Sequence, residues 1–195
     1  MTRSGGHDGP GACGQGPSSF GMQDPALVFK AMGLEPGMAF LDLGCGPGDY
    51  ALAAARVVGP AGLVHAVDEW ERMIALVRDR AREQGLGNVR AYLADMRSCL
   101  PVADACVDVC LLAMVLHYLR PRGGGDALWR EVRRVLRPGG TLALLGGRKD
   151  APDTGGPCPA HRWSPEECAA LLGPRGFVPG SVTELGSNYL FCFRA

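Results

Sequence analysis

The sequence predicts an α/β fold, a mostly parallel sheet covered by helices on both faces and closed by an antiparallel strand at the C-terminus. Three observations carry this. Short apolar runs alternate with helix-forming stretches between residues 40 and 145, and parallel strands joined by helical crossovers bury both faces of a sheet. The stretch FLDLGCGPGDY at 40–50 joins an apolar run to a helical one through Gly44, Gly46 and Gly48. The last two apolar runs, 177–182 and 189–193, are separated by a link that suits an antiparallel pair and is too short for a crossover. A chain of 195 residues suits one domain with a sizeable core.

The elements follow in order. Residues 1–23 are rich in Gly, Ser and Pro. They form a flexible leader, or a cap that orders over a bound ligand. The domain then spans 24–195. Asp24-Pro25 is an N-cap followed by proline at the first helical position, and that helix runs to Met32, with Gly33 as its stop. Residues 40–43 form the first strand, broken in its apolarity only by Asp42. The alanine-rich stretch 50–58 is a helix. A second strand at 63–67 ends at Asp68, and a helix over 71–84 carries Met73, Ile74, Leu76 and Val77. A third strand, 89–93, precedes Asp95-Met96, and a fourth covers 107–112. The helix expected over 126–137 has Leu128, Val132, Val135 and Leu136 on one side. Arg137-Pro138-Gly139-Gly140 is expected to break it before a fifth strand at 141–145. Ser164-Pro165-Glu166-Glu167 is a capping box for a helix that ends near Gly173.

Composition narrows the function classes. Lys+Arg and Asp+Glu are both 20, whereas a nucleic-acid binder carries a basic excess or stripe. The longest apolar run, 109–116, is too short to span a bilayer, and the N-terminus has no apolar core of the signal-peptide kind. The expected compartment is therefore the cytoplasm, where the eight cysteines stay reduced. Cys45, Cys106, Cys110 and Cys192 lie in or beside apolar strands and act as small hydrophobes, while Cys13 and Cys168 have no assigned role. Cys158 and His161 make one C-x-x-H pair, short of the four paired ligands of a zinc site, so no metal is expected.

A hydrophobic strand, a glycine turn and a helix N-terminus are the layout of a nucleotide site. Asp42-x-Gly44-x-Gly46-x-Gly48, Asp68 at the end of the second strand, Asp95-Met96 after the third, Val115-Leu-His-Tyr-Leu119 after the fourth, and Leu136-Arg-Pro-Gly-Gly-Thr-Leu142 leading into the fifth come in that order. In these motifs the chain resembles the class I S-adenosylmethionine-dependent methyltransferases. It is most similar to the small-molecule branch that includes the ubiquinone/menaquinone-biosynthesis type. The resemblance covers roughly residues 24–194. It implies a Rossmann-like doubly wound sheet of about seven strands with an antiparallel last strand, S-adenosylmethionine as cofactor, and a small-molecule methyl acceptor. A dinucleotide-binding domain of the NAD type is the main competitor, but that fingerprint needs Gly or Ala three residues after Gly46, where Asp49 stands. S-adenosylmethionine has no phosphate, and Asp42 and Asp49 favour its ammonium end. A nucleic-acid methyltransferase of the amino-methylating kind has an Asn/Asp-Pro-Pro-aromatic stretch where this chain has Leu112-Ala-Met-Val115. A non-catalytic protein that binds the cofactor is the remaining alternative, and an arsenite methyltransferase lacks an evident thiol layout here.

The resemblance also assigns roles. Gly44, Gly46 and Gly48 let the backbone approach the methionine and ribose parts of the cofactor. Asp68 accepts from the ribose hydroxyls, or else caps the helix that follows. Trp70 covers the adenine face, or packs on that helix. Asp95 accepts from the adenine amino group, with the Met96 N–H as complement, and Leu112 belongs to the same cofactor set. His117 and Tyr118, just past the fourth strand, are the candidate catalytic residues, placed to touch the acceptor or take its proton. The long connection 146–163 is expected to form, with the leader, a lid over the acceptor. Arg148, Lys149, His161 and Arg162 are its candidate contacts to an anionic group.

Overall fold

The computed structural model describes residues 19–119, 125–151 and 158–195. Residues 1–18 of the expected leader and 152–157 of the expected lid lie outside them. A 3₁₀ turn, Ser19–Met22, precedes α1 (Pro25–Ala31), β1 (Ala39–Leu43), α2 (Asp49–Val58), β2 (Leu63–Asp68), α3 (Glu71–Glu83), β3 (Val89–Leu93) and β4 (Val107–Ala113). Then come α4 (Asp126–Val135), β5 (Leu136–Gly147), α5 (Pro165–Leu172), β6 (Val178–Leu185) and β7 (Asn188–Arg194). The strands form one seven-stranded sheet in the order β3-β2-β1-β4-β5-β7-β6. β1 to β5 pair in parallel, and β7 runs antiparallel to both β5 and β6.

Local chemistry sets the helix ends. The Asp24 side chain accepts from the Ala26 N–H with Pro25 at the first position of α1, and Ser164 and Glu167 complete the capping box of α5. All five residues of β1 are buried, as expected for a central strand covered on both sides. Side-chain alternation sorts the core into two layers. Phe40, Val64, Ala66, Val109, Leu111 and Ala143 face Val28 and Phe29 of α1, Ala51 and Ala54 of α2, and Ile74 and Val77 of α3. Leu41, Leu43, Val67, Cys110, Leu112 and Leu142 face Trp129 and Val132 of α4 and Cys168 and Leu172 of α5. Each fully buried Val, Leu, Ile or Phe among them contributes about 1.5–3 kcal/mol of transfer free energy.

The structure departs from the sequence expectation most at the α4–β5 junction and at the end of the leader. α4 stops at Val135, and β5 already starts at Leu136, which pairs with Val107 before the register shifts to Val109↔Thr141. The segment Arg137-Pro138-Gly139-Gly140 is thus an irregular opening of β5, not a break before it. Asp108 stabilises this irregularity, with one carboxylate oxygen on the Arg137 guanidinium and the other on the Ala39 N–H, 2.7 Å away. Cys168, on the inner face of α5, is fully buried in the core. Ser19–Gln23, the end of the expected leader, packs on the domain. Phe20 meets Tyr50 edge to face, and the Gln23 amide donates to the Ser19 carbonyl and the Tyr50 hydroxyl and accepts from Asn188.

Candidate active site

From β1 the strand order runs outward through β2 to β3 on one side, and from β4 through β5 on the other. The direction reverses between β1 and β4, and in open α/β sheets ligands bind in the crevice beyond the carboxyl ends of the strands at such a switch point. Asp42 and the glycine loop, Asp68, Asp95-Met96, and the 3₁₀ turn Leu116–Tyr118 all follow or end those strands on that edge. The topology therefore gathers every expected site residue at one end of the sheet.

The glycine loop is held rigid by its surroundings. Gly44, Gly46 and Gly48 all take positive φ, which residues with a Cβ rarely adopt. A Cβ on Gly44 would stand 2.8 Å from Val115 Cγ2 and 3.1 Å from Met96 Cε, and one on Gly48 would stand 2.6 Å from Val77 Cγ2. A Cβ on Gly46 meets nothing within 4 Å. Two of the glycines thus serve close packing, and the third leaves the loop open to an approaching group. Asp68 ties the loop down: its Oδ2 accepts from the Gly46 N–H at 2.8 Å and its Oδ1 from the Trp70 N–H at 3.0 Å. The Arg80 guanidinium, on α3, donates to the Pro47 carbonyl at 2.6 Å and pairs with Asp49 at 2.8 Å. The sequence reading missed Arg80, because a helical arginine at that spacing is indistinguishable from a solvated one until α3 lies against the loop.

These bonds decide which ligand the loop suits. The N–H groups of Gly44 and Cys45 both donate to the Val67 carbonyl, that of Gly46 to Asp68 and that of Gly48 to the Cys45 carbonyl. Pro47 has none. The loop keeps no N–H fan for a pyrophosphate, and three carboxylates, Asp42, Asp49 and Asp68, stand at the N-terminus of α2, where an anion would otherwise be drawn.

Comparison with known proteins agrees. A family signature described as "Methyltransferase domain" matches residues 40–140. A methyltransferase from Aquifex aeolicus whose crystal structure is described as SAM dependent superposes with a TM-score of 0.80 at 32% identity, over 92% of this chain and 93% of that one. The chain belongs to the class I S-adenosylmethionine-dependent methyltransferases. TrmN from Thermus thermophilus superposes with a TM-score of 0.65 at 28% identity, over 87% of this chain and 47% of that one. The ubiquinone/menaquinone biosynthesis C-methyltransferase UbiE of Shewanella sp. (strain W3-18-1) is 34% identical over 118 residues, 60% of this chain and 46% of that protein. The methyltransferase thus spans about half the length of that curated relative.

S-adenosylmethionine is the cofactor of this family, and the residues of this methyltransferase fit it. Asp42 Oδ2 is, among the described residues, the one fully buried side-chain oxygen or nitrogen with no hydrogen-bond partner. The Asp42 carboxyl is pushed up to about 7, first by burial and then by the charges of Asp68 and Asp49, with the Ala51 N–H acting the other way. A cationic ligand at this end of the crevice relieves that burden. Asp49 contributes less to it than the sequence suggested, because Arg80 pairs with it. The Asp68 carboxyl is also raised by burial, and each of its oxygens keeps a lone pair beside its backbone bond.

The other candidates fall into place unevenly. Trp70 is 47% exposed, its indole free of the core. Asp95 accepts from Arg97 on both oxygens, at 2.9 and 2.7 Å, and from the Arg97 N–H at 2.8 Å, so this carboxylate is already engaged in an exposed ion pair. Met96 packs against the core and lies beside Gly44. Leu112 is fully buried in the core layer of α4 and α5, so its side chain serves packing.

Beyond β4 and β5 lies a recess lined by Met114, Leu116, His117, His161, Trp163 and Tyr189 among others. Met114 adopts φ +55°, held by its N–H on the Leu145 carbonyl at 2.8 Å. Such strain persists only where the surroundings over-determine it, and it clusters at functional sites. The His117 imidazole is lowered to about 4, mainly by burial and further by His161. Its ring lies 3.9 Å from that of Tyr118, which is 38% exposed. Of the four basic residues expected to meet an anion, Arg148 pairs with Asp150 and Glu184, and Lys149 with Glu167. Arg162 is buried along the recess, with its guanidinium on the carbonyls of Arg148 and Ala151, and His161 lines the same recess.

Proposed function

We propose that this methyltransferase transfers the methyl group of S-adenosylmethionine to a small molecule seated in the recess at Met114, Leu116 and His117. The observation that carries this is a continuity of three residues. Met114 and Leu116 line the recess, while Val115 between them packs on Gly44 of the glycine loop. One short segment is therefore the common wall of the cofactor crevice and the recess. The apolar and aromatic lining, with a few polar groups, has the composition of a small-molecule site, and with a volume of about 20 Å³ the recess must widen to admit an acceptor. The name of the relative UbiE, a biosynthetic C-methyltransferase, supports the same acceptor class.

When bound, the cofactor supplies a methyl group activated by its sulfonium. The protein's own task is then placement, and in-line orientation accounts for much of the acceleration in such a reaction. In this reading Asp68 takes the ribose hydroxyls, Trp70 covers the adenine, and Asp95 with the Met96 N–H holds the adenine edge. His117 is uncharged at neutral pH, since its imidazole is lowered to about 4. It accepts a hydrogen bond from the acceptor and orients it, but is too weak a base to carry the proton away near pH 7. An acceptor that is already ionised, or that needs no deprotonation, suits this arrangement. Incubation with methyl-labelled cofactor and a metabolite extract, followed by mass spectrometry, tests this. The label should appear in a small molecule. Label found only in macromolecules, or in no product, rejects the reading.

A further inference from the structure

We propose that this protein takes up its cofactor in exchange for a proton, which leaves the buried carboxyl of Asp42 as the cationic end of the cofactor settles beside the glycine loop. The inference rests on the family's cofactor and adds what Asp42 does when it binds. Asp42 lies near the end of β1 with 1% of its surface exposed, and its Oδ2 has no hydrogen-bond partner among the described residues. Its surroundings are acidic on every side from which charge reaches it. Asp68 approaches from β2 and Asp49 from α2. Tyr50 on α2, Cys45 in the loop and Cys110 on β4 are each raised in part by Asp42, and as phenol and thiols they are neutral or anionic, so none offers it a positive charge. Arg80 on α3 is engaged by Asp49 and the Pro47 carbonyl.

A carboxyl so placed is half protonated near neutrality before anything binds, since burial and two neighbouring carboxylates push it up to about 7. An opposite charge within about 4–6 Å lowers a carboxyl by roughly 1–3 units. The α-ammonium and sulfonium of the cofactor supply that charge, with its α-carboxylate acting the other way, for a net charge of one. The O–H bond of Asp42 breaks, the proton passes to solvent, and the carboxylate remains as the counter-ion.

The test is titration calorimetry of the full chain with S-adenosylmethionine at about pH 6, repeated in buffers of different ionisation enthalpy. At that pH an α-amino group, with an ordinary pKa near 7.7–8.0, is already charged and takes up no proton of its own. The slope of heat against buffer enthalpy should give a release of about 0.4–0.9 proton per cofactor, the range expected from a downward shift of this size. Adenosine carries the same ring and ribose without the charged end and should bind with no release. Asp42→Asn should abolish the release. The comparison of the two ligands on the unaltered chain stands even if that variant does not fold. Clear binding of S-adenosylmethionine with a buffer-independent heat overturns the proposal and leaves the cofactor in place, and equal release with adenosine or with Asp42→Asn overturns it too. Absence of any S-adenosylmethionine binding overturns both.

Discussion

At the scale of single residues, the three glycines of one loop have different reasons to be glycine, and they should fail differently. Gly44→Ala and Gly48→Ala combine positive φ with a Cβ at 2.8 and 2.6 Å from valine methyls. Each should lose about 2–4 kcal/mol of stability, read from denaturant titration. Gly46→Ala meets open space. It should cost about 1–2 kcal/mol in stability through φ alone and lose cofactor affinity out of proportion, which calorimetry separates from folding. Asp68→Ala should weaken cofactor binding by about 1.5–3 kcal/mol, the range for hydrogen bonds to a charged group. It should also destabilise the loop, because the Gly46 and Trp70 N–H groups lose their acceptor. Normal binding by that variant would contradict the ribose role. Asp42 makes the ligand-free protein pH-sensitive. Its folded carboxyl is raised from 3.8 to about 7, so the folded state holds the proton more tightly than the unfolded chain. The stability it lends is complete below about pH 4, declines as pH rises to about 7, and changes little beyond. The span is up to about 4 kcal/mol at 1.36 kcal/mol per unit. Asp42→Asn should flatten that decline, and an unchanged slope in chemical denaturation across pH would contradict the assignment.

At the scale of elements, the contacts that anchor the crevice are long-range, and this is why the sequence left them unread. The strands, the glycine turn and both proline-started helices were legible because each depends on near neighbours: alternation, a cap, a turn. Gln23 was not legible, since its partner Asn188 is 165 residues away. Nor were the irregular opening of β5, fixed by Asp108 on the neighbouring strand, or the pairing of Lys149 with Glu167. Leu112, placed in the cofactor set by the resemblance, lies inside β4 with its side chain in the core. The Gln23 clasp can be tested directly. Gln23→Ala removes the bonds from Ser19 to α2 and β7 and should lower stability by about 1–3 kcal/mol. Hydrogen exchange should locate the loss at Ser19–Met22 and the start of α2. Uniform loss of protection across the sheet would show instead that the residue supports the whole core.

At the scale of the whole molecule, strand order places the site before any side chain is considered. A sheet ordered β3-β2-β1-β4-β5-β7-β6 reverses direction between β1 and β4, and the acidic residues that end β1 and β2 stand on that edge with the segment that leaves β4. The loop's committed N–H groups, with Asp42 and Asp68 beside it, then make the crevice a receptor for a cation and a poor one for a pyrophosphate. The measurement that tests this most directly is parallel calorimetric titration of the protein with S-adenosylmethionine, its demethylated product and NAD. Saturable binding of the first two at one site per chain, with no heat from NAD, is the predicted result. Tight binding of NAD, or no binding of S-adenosylmethionine, would contradict the account.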